Sequence, residues 1–185
     1  MKKVKGILRH WLPLALLTCA FCSLTYLAIQ QVLRMGANDP QIQIAEDTAA
    51  SLASGSNPAS LVPSTTVEIS TSLAPFVIVL DPSGTIVATS GLLHGQKPTL
   101  PAGLLDYARS HGEDRVTWQP EPGVRMAAVI VPVDGGKSGF VLAGRSLREV
   151  EKRVDQLTLE VGGTLALTLV ASLVIVALVE IIIPA

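Results

Sequence analysis

The chain has 185 residues, 49% of them hydrophobic, with 14 basic and 15 acidic side chains and a formal net charge of -1. Four of the 14 basic residues precede the first apolar run and Glu180 lies in the second, which leaves 10 basic and 14 acidic residues between Arg34 and Glu160. A mildly acidic middle without a basic patch excludes the phosphate-neutralising surface that DNA or RNA binding needs, so no nucleic acid is expected as a partner.

Two apolar segments, from about Trp11 to Leu33 and from about Val161 to Ile183, bracket that middle. Each is long enough for a helix to cross a hydrocarbon core of about 30 Å. Lys2, Lys3, Lys5 and Arg9 mark the N-terminus as the cytoplasmic side and send the middle outside. A cleavable signal peptide has a shorter apolar core and a small-x-small site, and Thr18-Cys19-Ala20 is a poor one, so an uncleaved anchor is expected. Both cysteines, Cys19 and Cys22, fall in this first run. Their C-x-x-C spacing carries no redox or metal expectation, because a thiol among apolar groups keeps its proton.

The expected organisation is a basic cytoplasmic segment over residues 1–10 and a transmembrane helix over 11–35. An extracytoplasmic domain covers 36–160, ending in a juxtamembrane helix over 146–160. A second transmembrane helix spans 161–183, with a cytoplasmic tail at 184–185. With no disulfide, the middle of about 120 residues must be held by a hydrophobic core.

Within the middle, Asp39 suits an N-cap and Pro40 a first helical position. Ile42, Ala45, Ala49 and Leu52 then share one helical face until Gly55 and Pro58 end the run. Ser54 to Ser72 reads as a loop with a short strand at Thr66 to Ile69. Phe76 to Leu80, the Asp81-Pro82-Ser83-Gly84 turn and Thr85 to Ser90 form a hairpin pattern. A helix is expected over Leu100 to His111, then strands over Asp114 to Gln119, Val124 to Val133 and Gly139 to Gly144. Short joints demand antiparallel pairing, so the fold class is α+β.

The segment from Phe76-Val77-Ile78-Val79-Leu80-Asp81-Pro82-Ser83-Gly84 to Thr85-Ile86-Val87-Ala88-Thr89-Ser90-Gly91 resembles the opening hairpin of extracytoplasmic PAS-like sensor domains of the Cache type. Gly139 to Arg148 is similar to their closing strand, which passes into a helix; element order alone carries the likeness between the two. The resemblance covers roughly Asp39 to Gln156 and implies a PAS-like antiparallel sheet with helical cover, flanked by two transmembrane helices, that binds a small molecule in a bacterial membrane receptor. The chain departs from such receptors by ending after the second span with no kinase or other output module. Its effect is therefore expected to pass sideways to a partner in the membrane.

The exit from the last strand has its own signal. Ser146-Leu147-Arg148-Glu149 matches a capping box. Leu147, Val150, Val154, Leu157 and Val161 follow at alternating spacings of three and four, the pattern of a helix interface. The same register reaches Thr164 and Thr168, small hydroxyl residues of the kind that let membrane helices approach closely. Such a seam fits a homodimer or a partner membrane protein. It also fits packing of Leu147 to Leu157 on the domain's own sheet or on the Asp39 helix, with Thr164, Thr168 and Ser172 bonding their own preceding carbonyls. Gly162-Gly163 either continues the helix or breaks it.

The middle has two histidines, His94 and His111, and lacks G-x-S-x-G, S-x-x-K and H-E-x-x-H. No enzyme, cofactor or metal site is expected, and Glu113-Asp114 beside His111 reads as a solvated turn. A pocket for a small molecule needs apolar walls and a few oriented polar groups. Tyr107 and Trp118 are the candidate walls, Arg125 and Arg145 the candidate carboxylate clamps. The expected function is a membrane-anchored sensor or binding protein. The rivals are an assembly subunit without a ligand and the input half of a longer sensor kinase.

Overall fold

The computed structural model describes residues 2–101 and 103–182; the expected tail at 184–185 and the end of the second span at Ile183 lie outside them. In chain order the elements are α1 (Lys2–Gly36), α2 (Asp39–Ala53), α3 (Pro58–Leu61), β1 (Val67–Glu68), β2 (Phe76–Leu80), β3 (Ile86–Thr89), β4 (Gly91–Leu92), α4 (Leu104–His111), β5 (Asp114–Glu121), β6 (Val124–Val133), β7 (Gly139–Ser146) and α5 (Arg148–Ile182). They form two compact units, Met1–Leu33 with Lys152–Ala185, and Arg34–Glu151.

The second unit is α+β. Its main sheet is antiparallel with strand order β3-β2-β7-β6-β5. Three hairpin pairs join chain neighbours, and β7 then lies along β2 from Phe76 opposite Gly144 to Leu80 opposite Phe140. The last strand is thereby central, so the chain leaves for α5 from the middle of the sheet. Gly139 makes the return into β7 possible: its φ is 120°, and a Cβ there would stand 2.2 Å from the Leu80 carbonyl oxygen.

Strand alternation divides the core. Phe76, Ile78, Leu80, Met126, Ala128, Ile130, Phe140 and Leu142 face one side, where Leu104 and Ala108 of α4 cover them. Val77, Val79, Val129, Val133, Val141 and Ala143 face the other, under Ala45 and Ala49 of α2. Both faces are buried, which is why β2 reads as five consecutive apolar residues rather than an alternating strand. On the α4 side the Phe76 ring packs edge-on to Trp118 at 6.3 Å and lies over Gly91 and Gly144. A Cβ at Gly144 would come within 2.3 Å of that ring, so glycine supplies the space the aromatic fills.

On the α2 side one buried group is polar. Gln41 is fully buried one turn before Ala45, and neither of its amide atoms has a hydrogen-bond partner among the described residues. Such a group costs about 1–3 kcal/mol of desolvation.

Several local expectations change. The N-cap of α2 is Asn38, with Asp39 already helical. Pro58 starts α3 rather than only ending α2, because Asn57 accepts the Ala59 N–H and caps the new turn. Helix α4 begins at Leu104, after Gly103 in a left-handed conformation, so Leu100 and Pro101 remain in the loop. A short parallel pair, β1 with β4, joins segments whose sequence showed no pairing signal.

In the first unit, α1 starts well before the apolar run and carries Pro13 within it. α5 runs unbroken through Gly162 and Gly163. These helices meet where Trp11 Nε1 donates to Ser172 Oγ at 3.1 Å and where the Tyr26 and Thr158 hydroxyls lie 3.1 Å apart. Glu180 sits against Gly6, 3.6 Å from His10 Nδ1. Among the described residues, two helices are long and apolar enough to cross a membrane.

Candidate functional site: the joint between sheet and exit helix

The first turn of α5 is fixed to the domain by bonds from three segments. The Leu147 N–H donates to the Arg125 carbonyl at 2.9 Å, extending the β6–β7 ladder one residue past its end. Ser146 Oγ accepts the Arg148 N–H at 3.3 Å, and the Glu151 N–H closes on the Leu147 carbonyl at 2.8 Å as the helix begins. The Ser146 hydroxyl thus holds the first helical N–H, two residues on, rather than the Glu149 N–H that the expected capping box uses. Glu149 makes no return bond among the described residues; Glu151 instead pairs with the Arg125 guanidinium. Arg148 Nη2 donates to the Thr71 carbonyl at 3.0 Å, tying in the turn after β1. A displacement of β6 or of the Thr71 turn therefore acts directly on the helix start.

The four candidate ligand residues lie on opposite faces of the sheet. Trp118 is opposite Met126 and only 3% exposed, part of the α4-side core. Tyr107, on α4, is 51% exposed and stacks on His111 with ring centroids 4.0 Å apart. Arg145 is opposite Ala127, and Arg125 precedes Ala127 by two residues, so both point to the α2 face. The five-stranded sheet separates the aromatic pair from the two arginines. Arg125 is engaged by Glu151, while Arg145 is exposed.

Along α5, Val150, Val154, Leu157 and Val161 are half-buried, as is Leu147 just before it. Beyond Val161 the half-buried stripe continues through Leu165, Leu169 and Ser172, on the side that Trp11 and Tyr26 reach. Thr164 and Thr168 stand exposed at its shoulder, and Thr168 Oγ1 bonds the Thr164 carbonyl at 2.8 Å.

A polar cluster that the sequence did not announce lies beside the joint, at the same end of the sheet: Glu121 is opposite Val124, one residue before Arg125, and the Thr71 N–H donates to the Glu68 carbonyl. The Glu68 carboxylate accepts the Ser70 hydroxyl at 2.7 Å and the N–H groups of His94 and Gly95 at 3.0 and 3.1 Å. The Ser70 hydroxyl first, then the His94 N–H, hold its pKa down from 4.5 to about 2. His94 Nε2 lies 2.8 Å from Glu121 Oε2, and that hydrogen bond, with the attraction of the same carboxylate, raises the imidazole pKa above 6.5. Glu113, expected beside His111, pairs with Arg115 instead, and burial pushes the Asp114 carboxyl up. No local pattern links Glu68, His94 and Glu121, since turns from three separate segments bring them together.

Compared with known proteins, the chain matches no family model, no curated protein and no solved structure.

Proposed function

We propose that this chain is a two-span membrane protein whose outer domain has a PAS-like fold, senses a ligand or partner, and relays that event through α5 to a neighbour in the membrane. In this reading both termini are cytoplasmic and residues 36–160 lie outside. The observation that carries it is the continuity of α5, seated on the central strand at Ser146 and unbroken through Gly162-Gly163. A helix anchored at the sheet transmits displacement that a loop would absorb. The opening hairpin beside the closing strand, and that strand's passage into a helix, support the PAS-like assignment. The role is binding rather than catalysis: both histidines of the domain are engaged by Glu121 or by Tyr107 and Ser110.

The assembly-subunit reading is favoured by one observation, the filling of the α4-side core by Phe76 and Trp118. A photo-cross-linker at Thr168 in native membranes separates the two. Relay predicts capture of a membrane protein or a second copy, with a yield that changes when Arg125→Ala loosens the joint. Capture insensitive to the joint favours assembly. Protease added to intact spheroplasts should digest residues 36–160; protection there, with digestion only after lysis, overturns the topology and both readings with it.

A further inference from the structure

The loop between β4 and α4, next to the joint, combines three features. It turns at His94 and Gly95, both with positive φ, 52° and 74°, closed by reciprocal backbone bonds between Leu93 and Gln96 at 2.8 and 3.0 Å. That two-residue geometry favours asparagine or glycine first, and histidine there holds a strained backbone. Its flanks, Leu93 and Leu100, pack onto the α4-side core that contains Trp118 and Phe76. Two carboxylates from different segments grip the turn: Glu68 of β1 on its backbone, Glu121 at the end of β5 on its ring.

We propose that His94 and Glu121 form a proton-set latch that holds the β4–α4 loop closed over the α4-side core. The two grips differ in kind. Glu68 binds amide N–H groups that do not titrate, and its carboxylate stays ionised down to about pH 2, so it is a fixed pivot. The ring of His94 binds Glu121 as a charged pair only while protonated. The charged groups facing the ring are Glu121 and, further off, Glu68; Lys97 of the same loop is directed away, donating to the Ile86 carbonyl at 2.9 Å.

The direction follows from the raised imidazole pKa. The latch is fully set below pH 6.5 and is lost as pH rises through the higher value of the folded state. Loss of the ring charge leaves at most a neutral Nε2–H bond to Glu121, so the turn rests chiefly on its Glu68 pivot with strain at His94, which loosens the hold on Leu93 and Leu100. The loop then becomes a cover whose closure is set by the proton concentration outside the membrane. The latch stands whether or not α5 signals.

Amide hydrogen exchange on the full chain in lipid nanodiscs tests this, comparing about pH 6 with about pH 8 after correction for intrinsic exchange. Peptides covering residues 93–101 should lose protection at the higher pH while those of β6 and β7 do not. His94→Lys, permanently charged, should keep the loop protected at both values, and Glu121→Gln should abolish the difference between them. Equal protection of the wild-type loop at both values overturns the latch, a result that needs no variant to fold. So does a pH difference that survives in Glu121→Gln.

Discussion

The sheet domain and the helix pair spend similar apolar sequence in opposite ways. In the domain, β2, β6 and β7 bury their hydrophobic residues on both faces, and few large apolar side chains are left outside. In the helices, Leu17, Phe21, Leu167 and Ile182 are each at least 70% exposed. A water-facing helix of that kind would gain nothing from its leucines, since the stabilisation comes from removing apolar area from water. The contrast separates a unit whose apolar side chains are buried from one whose apolar side chains are exposed, and substitutions can test whether the helices face lipid.

The largest expected effect is in the domain. Phe76→Ala empties the space above Gly91 and Gly144 and should cost about 3–5 kcal/mol, read as a fall in the denaturation midpoint of the β-sheet signal. If the helices face lipid, Leu167→Arg should cost about 2.5–3.5 kcal/mol in membrane insertion, measurable by a glycosylation-based insertion assay. In water the same exposed change would be close to neutral, so unchanged insertion would break the comparison. The smallest effect has the opposite sign. Gln41→Leu replaces two unpaired buried polar atoms with apolar ones beside Ala45, and should raise domain stability by about 1 kcal/mol in urea unfolding. A fall would mean that the Gln41 amide has a hydrogen-bonding partner in the working protein.

The elements built from local signals were legible in the chain. The hairpin at Asp81-Pro82-Ser83-Gly84, the apolar face of α2 and the start of α5 directly after β7 each depend on residues a few positions apart. What depended on distant segments was not. The parallel β1–β4 pair has no composition to mark it, since each strand is two residues long. Trp118 and Arg125 are candidates for one pocket by residue type alone, yet Trp118 is opposite Met126, so Arg125 lies on the other face. Glu151 gave no hint that it would reach Arg125, because the joint forms only when β6 and α5 are brought side by side by the closing strand. The grip of Glu68 on the His94 turn crosses 26 residues and likewise leaves no trace in spacing.

The unbroken run from Arg148 to Ile182 has a mechanical consequence. Thirty-five residues at 1.5 Å each make a rod about 50 Å long, clamped at one end by Arg125, Ser146 and Thr71. Tilting the clamp by about 5° swings the far end by about 4 Å, close to half the spacing between packed helices. In the relay proposed above, a rearrangement too small to change any strand pairing would thus be magnified at the opposite tip, against the hold of Trp11 on Ser172.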